Sequence, residues 1–62
     1  MGLNADDKES VLASANDLIA AFGGNASVDA FEAARLAYED GDAAGAAFYL
    51  AVVKKIREIQ GA

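Results

Sequence analysis

The chain has 62 residues, 55% of them hydrophobic, with a net charge of −5 and neither Cys nor His. That length admits one domain, residues 1–62, near the lower limit at which a single core holds a fold together. The missing Cys and His exclude a disulfide framework, a zinc site and any nucleophile–base pair built on them, and the acidic balance argues against nucleic acid or anionic lipid as direct ligands.

Much of the hydrophobic fraction is Ala, which favours helix but buries little area, and only about fifteen residues are large Val, Ile, Leu or Phe. Self-association is therefore expected. The absence of Pro, the abundance of Ala and Glu, and the lack of any strictly alternating run predict an all-α chain. No apolar run reaches membrane-spanning length and no basic leader with an apolar stretch opens the chain, which predicts a cytoplasmic protein. Met1-Gly2 has Asp6 where a myristoylation signal wants Ser or Thr.

The first helix is expected over about 5–22, after a frayed Met1–Asn4. Asn4 or Asp6 offers an N-cap, with Asp7 or Glu9 as the reciprocal partner, and the acids complement the positive end of the helix dipole. Val11, Leu12, Ala15, Leu18, Ile19 and Phe22 form its apolar stripe. Gly23-Gly24-Asn25 then reads as a flexible loop, with Gly23 suited to the left-handed position past a helix end.

The second helix is expected over about 28–40, capped by Ser27. Val28, Phe31, Ala34 and Tyr38 form a stripe that broadens through Ala30 and Ala37, with Asp29, Glu32, Arg35 and Glu39 opposite. Gly41-Asp42 makes a tight hinge, Gly41 ending one helix and Asp42 capping the next. The third helix, about 43–60, presents Gly45, Phe48, Tyr49, Val52, Val53, Ile56 and Ile59 on one arc, and Gly45 is expected where a neighbouring helix approaches closely. Lys54, Lys55 and Arg57 near its end read as dipole complements on a solvated face, with Gly61 as the stop. The simplest packing of these three elements is an up-down-up three-helix bundle with a tight Gly-Asp helical hairpin.

No chemistry rises from this pattern. Asp40-x-Asp42-x-x-Gly45 superficially resembles the start of a calcium loop, but Ala44 replaces one oxygen ligand and Ala51 the bidentate acid, so no metal is expected. Ser10, Ser14 and Ser27 have no base beside them, the Gly23-Gly24 turn lacks a GK[ST] continuation, and the pairs Glu32/Glu39 and Asp40/Asp42 lie on solvated surface or at a turn. The chain is read as no enzyme, with no cofactor and no small-molecule substrate.

Two leucines break the helical pattern. Leu36 falls on the charged side of the second helix and Leu50 at the edge of the third helix's stripe, and together with Ala43 and Ala47 they are the expected partner-binding surface. Tyr38 and Tyr49 read as core aromatics with wetted hydroxyls.

The run Ala34–Val53, with a small residue at Ala34, then Tyr38, Gly41-Asp42, Ala46 and Tyr49, resembles a single tetratricopeptide helical hairpin. It covers about a third of the chain, has Ala37 where that family usually carries an aromatic, and lacks the family's Trp and terminal Pro. The Gly-Asp hinge followed by Ala-x-Phe is also similar to hairpins in short uncharacterised bacterial proteins. Either resemblance implies protein binding without catalysis, with the Ala5–Phe22 helix acting as a cap. The leading expectation is a small interaction module or regulator acting through a helical surface on another protein or a second copy of itself. The alternative is an acidic inhibitor that mimics nucleic-acid charge and covers a basic site on a partner protein.

Overall fold

The computed structural model describes the backbone of residues 5–61 and the side chains of residues 8–61. The N-cap expected at Asn4 or Asp6, its partner Asp7, and the frayed start lie outside the described side chains. Among the described residues the chain is all-helical, with α1 at Ala5–Phe22, α2 at Ala26–Glu39 and α3 at Ala43–Gly61. The molecule is compact, with a radius of gyration of 11.1 Å.

The connection between α1 and α2 is not the expected open loop. Gly23–Asn25 forms one 3₁₀ turn, so helical backbone continues without a break from Ala5 to Glu39. Counted by interruptions in helical geometry, the described chain has two stretches. The first nevertheless bends sharply: a straight path of that length would run about 52 Å, while the longest dimension of the molecule is 29 Å. Gly23 enables the bend by adopting φ +58°, where a Cβ would be strained.

The same turn explains why Ser27 does not cap α2. The Ala26 N–H already donates to the Gly23 carbonyl, and Asn25, in the capping position, makes no side-chain bond to the helix. A 3₁₀ turn feeding directly into a helix supplies backbone carbonyls to its first free N–H groups, which removes the need for a side-chain oxygen.

The junction of α2 and α3 combines backbone bonds with one side-chain cap. Gly41 sits at φ +81°; its N–H donates to the Tyr38 carbonyl at 3.1 Å, and the Asp42 N–H donates to the Ala37 carbonyl at 2.8 Å. That pair of bonds closes the end of α2 on a left-handed glycine. Asp42 then starts α3: its Oδ1 accepts from the Gly45 N–H at 2.9 Å, and its carbonyl accepts the first helical bond, from the Ala46 N–H, also at 2.9 Å. Two residues end one helix and begin the next.

Gly45 leaves room for this cap. The atoms that a Cβ at Gly45 would meet first belong to the Asp42 carboxylate, the closest at 2.2 Å. The expected close approach of a neighbouring helix is thus replaced by the close approach of the capping side chain.

α2 and α3 share the most extensive interhelical packing, and α1 packs on both. Among the described residues the buried ones are Val11 and Ala15 from α1, Ala26, Ala30 and Ala34 from α2, and Val52 and Ile56 from α3. Leu18, Ile19, Phe48, Ala51 and Val53 pack around them, half-buried. The stripe expected on α2 holds only at its small residues: Ala30 and Ala34 are buried, but Val28, Phe31 and Tyr38 are 66%, 56% and 69% exposed. The buried face is instead a line of alanines at four-residue spacing. A helix placed between two neighbours must let both backbones come close, and methyl groups allow that where aromatic rings do not.

At the far end of α3, Gln60 Nε2 donates to the Gly23 carbonyl at 2.8 Å, across 37 residues of sequence. Gly23 O therefore accepts from both Ala26 and Gln60. None of the lysines or arginines falls in the last turn of α3, so the expected complementation of the dipole there is absent, and Lys55 instead pairs with Glu58 at 3.1 Å.

Candidate interaction surface

Burying the alanine face of α2 turns its bulky residues outward. Phe31 and Tyr38 are seven positions apart, which places them on one side of the helix two turns from each other. Between them lies Ala34, and across the hairpin stand Ala43, Ala46, Ala47 and Leu50 of α3. Together these residues line an open groove whose floor is alanine and whose walls are Phe31, Tyr38 and Leu50. Among the described residues, none of α1 lines it. Beyond Phe31 the apolar strip continues through Val28 and Val53.

One edge of the groove is polar. Arg35 donates to Glu39 at 2.9 Å and also pairs with Glu32. The hydrogen bond that Arg35 donates to Glu32, and after it the charges of Glu32 and Glu39, hold the Arg35 guanidinium above its ordinary pKa. All three side chains are more than half exposed, so this is a solvated triad of the kind that adds little to stability.

The four residues expected to form a partner surface are divided. Ala43, Ala47 and Leu50 line the groove. Leu36, 54% exposed, lies apart from them, in a shallow depression with Ala37, Glu39, Asp40 and Asp42. Phe31 and Tyr38 were assigned to the core by the sequence pattern, and their place on the groove is the main thing that pattern missed. The signal that identifies them is the spacing of Ala26, Ala30 and Ala34, a competing stripe of small residues on a neighbouring face of the same helix.

Tyr49 is half-buried and packs edge-on against Phe48, with ring centroids 5.5 Å apart. Between α1 and α3 a second depression is lined by Lys8, Glu9, Leu12, Lys54, Lys55 and Glu58 among others, a mixture of both charges. Among the described residues no group of three or more acidic side chains is placed to hold a metal ion, and the Asp42 carboxylate is occupied by the Gly45 N–H. No charged or polar residue among them is buried. Among the described residues no helix is long and apolar enough to cross a membrane.

The chain matches no protein-family model, no curated protein and no solved structure.

Proposed function

We propose that this protein is a small, non-catalytic, cytoplasmic protein–protein interaction module that acts through the groove between α2 and α3. In this reading the chain is an up-down-up three-helix bundle, in which α1 caps one side of a tetratricopeptide-like hairpin and leaves the other side open to a partner. One observation carries it: α2 buries its alanines and exposes Phe31 and Tyr38, the opposite of what folding alone favours. Large apolar side chains kept on one outward strip, opposite Leu50 and edged by a charged triad, have the make-up of an interface core with a polar rim. The acidic-inhibitor reading has less to draw on, because Glu32 and Glu39 are both paired with Arg35.

Photo-crosslinking in cells tests this. Benzoylphenylalanine in place of Phe31 or Tyr38 is expected to give discrete adducts, with another protein or with a second copy, while the same group at Ala13 or Ala20, exposed positions on α1, gives none. Adducts of equal yield from both helices, or none from α2, would remove the reading.

A further inference from the structure

Resting on that reading, we infer that the occupant of the groove is a second copy of this chain, docked groove to groove about a two-fold axis. Three features of the face favour a copy over any other partner.

The first is self-complementarity. A two-fold interface needs one surface to carry both projections and recesses. This face does: Phe31, Tyr38 and Leu50 project, and Ala34, Ala46 and Ala47 form the recess that projections of the same size would fill.

The second is area. Phe and Tyr side chains present roughly 150–250 Å² each, so exposures of 56% and 69% leave roughly 100–150 Å² uncovered on Phe31 and on Tyr38. With Val28 and Leu50, 66% and 50% exposed, and the alanines beside them, one copy offers roughly 500 Å². Two copies together reach the roughly 1,000 Å² at which specific interfaces begin.

The third is what the fold lacks. α1 covers the hairpin on one side only, and four of the seven buried hydrophobic residues among those described are alanines. Chains of this size without disulfide or metal commonly gain the rest of their buried surface by oligomerising. A copy pressed onto the groove gives the hairpin its second covered face, with the two α2–α3 pairs inside and each α1 outside.

Because each copy carries a charge of −5, pairing works against net repulsion. Salt screens that repulsion, so the dimer is expected to tighten as ionic strength rises. A partner recognised by charge would show the reverse slope.

The test is sedimentation equilibrium on the purified full chain from about 1 to about 500 μM, a range chosen because interfaces near the lower size limit associate weakly. The expected result is a monomer–dimer equilibrium with Kd of about 1–100 μM. Phe31→Glu and Leu50→Glu are expected to weaken it by about tenfold or more while the far-ultraviolet circular dichroism of the monomer is kept, since both residues are exposed and the new carboxylates gain Arg35 and Lys54 one turn on. Leu36→Gln, away from the groove, is expected to leave it unchanged. In a mixture of labelled and unlabelled protein, isotope-filtered NMR is expected to show contacts from the Leu50 methyls to the Phe31 or Tyr38 ring of the other copy. A monomer throughout, a dimer indifferent to both glutamate variants, or a dimer that loosens with salt would overturn the inference. If the chain stays monomeric while Phe31 and Tyr38 still crosslink to other proteins in cells, the proposed interaction role stands and only the identity of the partner falls.

Discussion

α2 and α3 lie side by side in one hairpin, yet they are held by different means. α3 buries branched side chains, Val52 and Ile56, at no measurable exposure, and α2 buries only methyl groups, Ala26, Ala30 and Ala34. α3 begins on a side-chain cap from Asp42, and α2 begins on the backbone of a 3₁₀ turn. One helix supplies the bulk of the core and the other supplies the room for it. The difference teaches that hydrophobicity marks the core face of a helix only when the helix has volume to fill; where it must yield volume, the smallest residues mark it.

The most severe way to break this contrast is to remove the bulk. Ile56→Ala is expected to cost about 2–5 kcal/mol, enough to leave much of so small a domain unfolded, and a thermal melt by circular dichroism reads it. Next is to take away the room: Ala30→Leu forces a larger side chain into the fully buried face of α2 and is expected to cost about 1–3 kcal/mol. Chemical denaturation distinguishes this from a surface substitution, and a neutral result would mean that the methyl face is not tightly packed.

The two helix starts give a gentler comparison. Asp42→Ala removes the bond to Gly45 and is expected to cost about 1 kcal/mol. Asn25→Ala, at a start without a side-chain bond, is expected to stay within about 0.5 kcal/mol of the parent. Gly45→Ala sharpens the point, because the effect of the same substitution should depend on its background. In the parent it displaces the Asp42 carboxylate and gains little or nothing; with Asp42 already replaced by Ala it is expected to stabilise by roughly 0.5–1 kcal/mol from helix propensity alone. Smallest of all is Phe31→Ser, expected to change the stability of the dilute monomer by less than about 0.5 kcal/mol. A Phe that belonged to the core would cost several times more.

How far the sequence is legible follows from the same distinction. Gly41 and Asp42 announce their junction because a left-handed glycine and a capping carboxylate are local chemistry, complete between Ala37 and Ala46. Val52 and Ile56 are legible because apolar bulk at helical spacing has one common use. Three things are not. The 3₁₀ turn at Gly23–Asn25 looks like a loop, because two glycines read as helix breakers and the bond that fastens their carbonyl comes from Gln60, far along the chain. The buried face of α2 is misjudged because a stripe is weighted by side-chain size, while the neighbours of α2 select against size. The groove is misread in consequence: Leu50, Ala43 and Ala47 are found from the pattern of α3 alone, but Phe31 and Tyr38 join them only once the rotation of α2 is known.

The bond from Gln60 to Gly23 has a topological consequence. It fastens the end of α3 to the corner where α2 begins, so those two helices and the hinge between them form a circuit latched at one carbonyl, and α1 stands outside that circuit. The molecule thereby divides into a looped pair of helices and a third helix that joins the loop at one corner and packs on both of its members.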